Sequence, residues 1–279
     1  LMTSPTPPAF PPALPPARPV PQGTTRRFAT QRTVMALILR EMSTRYGRSA
    51  GGFIWAIIEP LGVIIILALA FGLLLRAPSL GTSFILFYAS GYLPFHVYQT
   101  VSLFVSRALN FSRPLMFYPS VTWVDALLAR FILNTLTSIT VAVIILSAIL
   151  VFEDHRAVLD MVSIIQGFGM CAMLGLGIGT LNCLLIGLSP VWGTCWAIIN
   201  RPLFIGSAVL YIYEDLGPSA QNVLWWNPLV HGTGLVRKGF YPTYEASYAS
   251  TAYGIGFGMF FLCLGLVFLR ANYQRVLER

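Results

Sequence analysis

Six long runs of apolar residues divide the chain, and shorter polar segments separate them. The runs cover residues 53–75, 84–105, 128–152, 161–187, 192–213 and 251–269. About 20 apolar residues in a helix cross a hydrocarbon core of about 30 Å, and a helix satisfies every backbone group within its own segment. The pattern therefore predicts six transmembrane helices. Polar or helix-breaking residues interrupt the second, third and fifth runs, namely Pro94, His96, Arg130, Arg201 and Pro202.

The segments outside these runs have three different patterns. Residues 1–25 are rich in proline without periodicity, which predicts a disordered tail ahead of a transmembrane domain at 26–279. The stretch before the first run mixes apolar and basic residues and predicts an amphipathic helix in the membrane interface, although a helix packed in a soluble core would show a similar pattern. Residues 213–248 are apolar and aromatic but broken by glycine and proline, so we expect a pair of short re-entrant helices there.

Composition supports a membrane protein. Of the 279 residues, 56% are hydrophobic and only 10% are charged, with a mean hydropathy of +0.72, whereas a soluble domain carries roughly a quarter charged residues. We therefore expect an all-α polytopic membrane protein. The net charge of +8 comes mainly from arginines before the first run, in the second inner segment and after the last run. Both termini are then expected in the cytoplasm, and the basic excess reflects topology and membrane lipid rather than nucleic acid.

The chain lacks the motifs of P-loop nucleotide binding and of zinc peptidases. It has no GxxxxGK[ST] phosphate loop and no HExxH, and its three histidines are far apart. The four cysteines, Cys171, Cys183, Cys195 and Cys263, stand alone in apolar runs without metal-ligand spacing. We expect no catalytic site, no metal site and no cofactor in this chain, so energy for any transport must come from another subunit.

Several polar residues stand out against this apolar background. Arg45, Tyr46 and Arg48 are expected at headgroup level, and Trp55 is expected to anchor the start of the first run. Glu59 falls inside that run, where a carboxylate is costly; it is either functional or a neutralised or arginine-paired structural residue. Arg201 lies deep in the fifth run and is expected to face a cavity, a partner or an anion.

Two further segments have alternative interpretations. The inner segment between the second and third runs is long and partly apolar, which favours a short helix contacting a cytoplasmic partner or a second interfacial anchor. Its candidate contact residues are Arg107, Asn110, Phe111, Arg113 and Leu115. The outer aromatic residues are expected to form an interfacial belt or to stack against sugar rings; they are Trp225, Trp226, Phe240, Tyr241, Tyr244 and Tyr248.

Three stretches together resemble the transmembrane subunits of ABC-2 type exporters. They are RYGRSAGGFIWAIIEPLG, the pair Arg201–Pro202, and WWNPLVHGTGLVRKGFYP before the last run. The resemblance covers the chain from about Arg26 to the C-terminus and is strongest to the KpsM-type capsular polysaccharide export permeases. It implies a transporter permease of the bacterial inner membrane, not an enzyme, that exports a lipid-linked capsular polysaccharide. Related exporters of O-antigen, teichoic acid, a small lipid or a drug are the alternatives, and a passive channel or secondary transporter is the hypothesis from another class.

The resemblance also implies partners and residue roles. It implies a homodimer with two cytoplasmic ATPase subunits that bind ATP and Mg²⁺, a periplasmic adaptor and an outer-membrane channel. The interfacial helix and the 107–117 segment would transmit ATPase movement to the spans. The residues expected to contact substrate are Arg45, Tyr46, Arg48, Trp55, Glu59, Tyr92, Phe95, Tyr98 and Arg201.

Overall fold

The structure, a computed structural model, describes residues 29–46, 51–116, 121–153 and 158–278. The predicted proline-rich tail lies outside these ranges. Every regular element of the described residues is helical, and the α-helices are α1 (Ala29–Tyr46), α2 (Gly52–Leu74), α3 (Phe84–Ser106), α4 (Ala108–Ser112), α5 (Trp123–Phe152), α6 (Met161–Leu188), α7 (Val191–Ile205), α8 (Pro218–Leu224), α9 (Pro228–Phe240) and α10 (Thr251–Glu278). The prediction of an all-α polytopic membrane protein is confirmed.

Most of the predicted spans correspond to single long helices. Four helices of the described residues, α2, α5, α6 and α10, are both long enough and apolar enough to cross a membrane. Helix α3 has the same length as α2, 23 residues, and continues through Pro94. It is less apolar than these four because several polar residues lie along one of its faces. Between the fifth and sixth predicted spans, α8 and α9 form the expected pair of short helices.

Helix α6 is the central helix, and glycines let its neighbours approach it closely. On one side, Gly175 and Gly179 contact the backbone of α3, where a Cβ atom would lie 2.9 Å from the carbonyl oxygen of Tyr98 and 3.0 Å from that of Ser102. On the other side, Gly177 lies against the carbonyl of Gly258 on α10. In lipid, the hydrophobic effect does not drive helices together, and small residues stabilise helix pairs by allowing close packing. These glycines therefore hold α6 between α3 and α10.

Helix α1 lies beside α5 and has two apolar faces. Val34 and Leu37 are buried in a small cluster with Ala129 of α5, joined by Leu115. Met35, Leu39 and Met42, spaced along the opposite side, are exposed. One face therefore attaches the helix to the bundle, and the other suits contact with the membrane interface.

Side-chain caps fix the starts of several helices, including α5 and α6. Thr122 and Asp125 form a reciprocal capping box, so α5 begins at Trp123 and not at the predicted residue 128. At the opposite end of the bundle, the Asp160 carboxylate accepts hydrogen bonds from the backbone of Val162 and Ser163 and from the Ser163 hydroxyl. The bonds from Ser163 lower the pKa of Asp160, which keeps the cap ionised.

The predicted fifth span, 192–213, is wrong at its C-terminal end. Helix α7 stops at Ile205 after 15 residues, a length of about 22 Å, which is less than the hydrocarbon thickness. Residues 206–212 continue the apolar run but are not helical, and Ser207, Ala208 and Val209 are fully buried. Hydropathy registers burial and cannot distinguish a buried helix from a buried irregular segment.

The irregular segment is possible because α9 and its connection to α8 satisfy its backbone. The Asn227 side chain donates to the carbonyl of Gly206 (2.7 Å), and the Thr233 hydroxyl donates to that of Ser207 (2.9 Å). The Arg237 guanidinium donates three further hydrogen bonds, to the carbonyls of Ala208, Val209 and Tyr211, at 2.6–2.8 Å. Broken backbone at membrane depth is tolerated only where protein surrounds it in this way.

Candidate functional site

A large cavity lined by both polar and apolar side chains lies between α2, α3, α5 and α7. Its volume is about 1070 Å³, slightly above the usual range for small-molecule sites. Residues from α3 form one wall and residues from α7 the facing wall, while α2 and α5 contribute the sides. The cavity is therefore built from four separate stretches of chain, three of them predicted spans with interrupting polar or proline residues.

Five of the residues predicted from sequence line this one cavity. They are Glu59 from α2, Tyr92 and Phe95 from α3, Arg107 at the end of α3, and Arg201 from α7. Their mutual distance could not be predicted from sequence, since they are spread over more than 140 positions. Their convergence gives the cavity two guanidinium groups and one carboxylate.

Aromatic rings form one region of the cavity wall. The ring of Phe204 on α7 lies edge-on to Phe95, with centroids 5.3 Å apart, and edge-on to Tyr92 at 6.2 Å. Tyr92 also contacts the His96 ring at 5.8 Å. Trp196 adds a further ring to the α7 wall. The α3 and α7 walls thus meet through aromatic side chains.

Hydrogen-bonding side chains form the rest of the wall, and our sequence analysis missed most of them. His96, Gln99 and Thr100 follow one another at helical spacing on α3, and Asn134 and Asn200 face them from α5 and α7. Within the described part of the chain, His96 Nδ1 and Asn200 Oδ1 are buried without a hydrogen-bond partner. Polar residues spaced by three or four positions in an apolar run are a signal that would have identified this face of α3.

The remaining predicted substrate contacts have other positions. Trp55 is 67% exposed on the outside of α2, which suits an interfacial anchor. Tyr98 is 0% exposed and lies in the core between α3 and α6, away from the cavity wall. Arg48 lies outside the described residues, as do the side chains of Arg45 and Tyr46 at the end of α1.

The predicted ATPase-contact segment forms α4 and a 3₁₀ turn at Arg113–Leu115. Arg107, Asn110 and Arg113 are exposed and give this segment a basic polar surface. Phe111 is 37% exposed, and its ring contacts the guanidinium groups of two buried or half-buried arginines described below. Leu115 packs against the α1–α5 cluster.

The outer aromatic residues mostly pack against one another and against the core. Trp225 stacks on Tyr253 of α10 with centroids 5.2 Å apart, and Tyr213 stacks on Tyr248 at 4.1 Å. Phe240, Tyr241 and Tyr244 are buried, whereas Trp226 is largely exposed; these four complete the set. The stacked faces are therefore occupied by neighbouring protein rings.

His231 organises the outer aromatic cluster from α9. Its Nδ1 accepts a hydrogen bond from the backbone N–H of Ser250 (3.1 Å), so its Nε2 carries the proton and donates to the carbonyl of Trp225 (2.8 Å). Burial lowers the pKa of His231, which keeps the ring neutral. The neutral ring fixes the connection between α8 and α9 to the start of α10.

The side chains that line the cavity can bind a ligand through hydrogen bonds, apolar contacts and charge. Amide, hydroxyl and imidazole groups supply donors and acceptors, aromatic rings supply apolar faces, and Arg107 and Arg201 attract anions. No group of three or more His, Cys, Asp or Glu side chains in the described residues is placed to hold a metal ion. The arrangement suits a hydroxyl-rich ligand that carries negative charge.

Three known proteins similar to this chain have descriptions that name polysialic acid transport or capsule polysaccharide export. The chain is 27% identical to the polysialic acid transport protein KpsM of Escherichia coli over 245 residues, which is 88% of this chain and 95% of that protein. It is 27% identical to the capsule polysaccharide export inner-membrane protein BexB of Haemophilus influenzae over 249 residues, 88% and 93% of the two chains. It is 24% identical to the protein of that description called CtrC in Neisseria meningitidis serogroup B, over 85% and 89%.

A family profile agrees with these similarities. The profile of the ABC-2 type transporters matches residues 32–241, a range that includes α1 from residue 32 onward, the residues that line the cavity, α4 and α9. This range is more than half of the chain. The chain therefore belongs to the ABC-2 type transporter family.

Proposed function

We propose that this chain is the inner-membrane permease subunit of an ATP-driven exporter of capsular polysaccharide, and that it moves a lipid-linked, acidic glycan through the cavity between α3 and α7. The observation that carries the proposal is the convergence of Arg201, Arg107, aromatic rings and amide side chains in one intramembrane cavity. The similarity to capsule export proteins along 85–88% of the chain supports the same substrate class.

The distribution of charge supports an orientation with both termini in the cytoplasm. The end of the bundle with α4 carries exposed arginines, and α10 ends at the same side with Arg270 and Arg275. The opposite end, with α9, carries Glu153, Asp160, Glu214, Asp215 and Glu245. Positive residues are retained on the cytoplasmic side during insertion, and α4 is then accessible to a cytoplasmic ATPase.

The exposed side of the cavity supports a homodimer. Glu59 on α2 and Arg201 on α7 line the cavity yet remain exposed, and α7 has no buried residue. Charged side chains facing lipid at this depth are costly. A second copy that covers α2 and α7 would remove them from lipid and would enclose the cavity as a conduit. We propose that two ATPase subunits drive this dimer, and that a periplasmic adaptor and an outer-membrane channel continue the path.

Arg201 tests the proposed function most directly. If its guanidinium attracts acidic groups of the glycan, Arg201→Ala should reduce capsule export in a complemented deletion strain by at least about tenfold, because one charge-assisted hydrogen bond is lost. Arg201→Lys keeps the positive charge and should retain a substantial part of export. Surface capsule measured with a capsule-specific antibody gives the readout, with ATPase co-purification as the assembly control.

The same deletion strain distinguishes the alternative functions. Capsule export predicts loss of surface capsule with intracellular glycan accumulation and unchanged drug sensitivity. Altered drug sensitivity with normal capsule would favour a drug or small-lipid exporter, and transport by reconstituted permease without an ATPase would favour a channel or secondary transporter. Normal export by Arg201→Ala would remove Arg201 from the substrate path.

A further inference from the structure

A single buried guanidinium near the α4 end connects four helices. Arg130, on the second turn of α5, places its Nε 3.2 Å from Glu41 Oε2 of α1. Its Nη1 donates to the carbonyl of Phe104 on α3 at 2.9 Å. Its Cζ lies 4.2 Å from the centroid of the Phe111 ring on α4, within cation–π distance. One side chain therefore contacts α1, α3 and α4 from α5.

The ion pair is buried on both sides. The side chains of Glu41 and Arg130 are each only 6% exposed. Removing two charges from water costs more than a buried pair usually returns in stability, and an apolar pair of similar size is often equally stable. Stability alone therefore gives a weak reason for an ion pair at this position. A role in fixing the relative position of helices is the better attested use of buried charges.

Phe111 connects this ion pair to the exposed surface of α4. Its ring also lies 5.5 Å from the guanidinium carbon of Arg40, the residue beside Glu41 on α1. The ring is partly exposed on a short helix whose other exposed residue is Asn110, and the exposed Arg107 directly precedes that helix. Any displacement of α4 must consequently move the ring against two arginines, one on α1 and one on α5.

We propose that the Glu41–Arg130 pair, with Phe111, is the mechanical joint that transmits movement of α4 to α1, α3 and α5. Glu41 and Arg130 are positioning residues in this proposal, since neither lines the cavity. The proposal rests on the proposed function in one respect, namely that an ATPase moves α4. It adds the residues by which that movement reaches the α3 wall, because Phe104 lies both under Arg130 and on the cavity wall.

The test uses the double variant E41M/R130M in the full chain with its ATPase. The double variant removes the joint without leaving an unpaired buried charge, so the protein is expected to fold and to retain ATPase binding and ATP hydrolysis. Glycan exported per ATP hydrolysed should fall by about tenfold, within the range typical of coupling between sites. R270Q, which removes an exposed arginine of α10, is the matched control and should not change this ratio.

A second readout does not depend on the glycan. On a background with Cys195 and Cys263 replaced by serine, spin labels at the exposed positions 36 on α1 and 271 on α10 report the distance between these helices. ATP should change this distance in the otherwise unmodified chain, and the double variant should lose the change while still hydrolysing ATP. If no glycan is exported by the unmodified transporter, the proposed function fails, whereas this distance change still tests the joint.

Two outcomes would overturn the joint. The first is a double variant that exports as much glycan per ATP as the unmodified chain and keeps the ATP-dependent distance change. The second is a double variant in which yield, ATP hydrolysis and export all fall in parallel, since this pattern indicates a structural role only. E41Q then separates charge from packing, because it keeps the side-chain size and should uncouple export in the same direction.

Discussion

The two ends of the bundle each contain one buried arginine, and the two arginines are held in different ways. Arg130 at the α4 end pairs with a carboxylate on another helix and touches an aromatic ring. Arg237 at the α9 end is 1% exposed, and no carboxylate of the described residues lies within ion-pair distance of it. Its guanidinium donates to three backbone carbonyls and lies 4.4 Å from the Phe87 ring.

The two arginines therefore have different mechanical roles. Arg130 links helices that are each complete by themselves, so its contacts can shift while every backbone bond survives. Arg237 replaces the hydrogen bonds that a helix would have supplied to residues 208–211, and Ala208 there has an unfavourable φ of +54°. Gly91 leaves the space for its Nη2, since a Cβ atom would lie only 2.7 Å away. The α9 end is therefore expected to be fixed and the α4 end to move.

The largest effect is expected from Arg237→Ala. The substitution leaves three buried carbonyls without donors, at a cost of about 1–3 kcal/mol each, so we expect little folded protein in the membrane. Arg237→Lys should rescue poorly, because an ammonium group cannot reproduce the fork of the guanidinium. Membrane yield and thermal unfolding in detergent measure the effect, with the exposed neighbour Lys238→Ala as control. Near-normal stability of Arg237→Ala would contradict the fixed role of this end.

A smaller and reversible effect is expected from Arg130→Met. Alone, it leaves Glu41 buried and unpaired and should reduce the free energy of unfolding by about 3–5 kcal/mol. Adding Glu41→Met should recover most of that loss, because the uncompensated charge is gone. Thermal unfolding of the single and double variants gives the comparison. Equal stability of the two would mean that the pair contributes nothing specific, and the contrast with Arg237 would disappear.

The smallest effect is a pH dependence confined to the α9 end. Because the pKa of His231 is lowered in the folded protein, the unfolded chain binds more protons at acidic pH. Stability from His231 is then complete above the unfolded pKa of about 6.5 and is lost as pH falls through the lower folded value. We expect the unfolding midpoint to drop by a few degrees between neutral pH and mild acid. His231→Gln should remove this dependence, and its persistence would assign it to another group.

The start of the fifth span can be predicted from the sequence, whereas its end cannot. The start of α7 and the presence of Arg201 in a cavity follow from a run of apolar residues with one expensive charge. The end at Ile205 does not, since Val209, Leu210 and Ile212 are as apolar as any helix. Only the side chains of Asn227, Thr233 and Arg237, more than 20 positions away, supply the donors that make the irregular segment possible.

The residues of the candidate site also differ in whether the sequence alone could identify them. Glu59 and Arg201 stood out individually because charge in an apolar run is costly. The amide groups of Gln99 and Asn200 were missed because a neutral amide in an apolar run is inexpensive enough to pass as a packing residue, and His96 was noted only as an interruption of a span. Arg130 was noticed only as an interruption of a span, and its partner Glu41 was not considered at all. Pairing across 89 positions of chain cannot be read from either residue alone.

The amino-acid sequence by itself determined that the chain is helical, that it lies in a membrane and which charged residues fall within apolar segments. It does so because the cost of leaving a backbone group or a charge in lipid is local to each segment. The tertiary structure decided where α7 ends, which polar groups share the cavity, and that one buried arginine binds a carboxylate while the other binds backbone. Those outcomes depend on groups brought together by packing, and packing around the glycines of α6 is a property of the whole bundle.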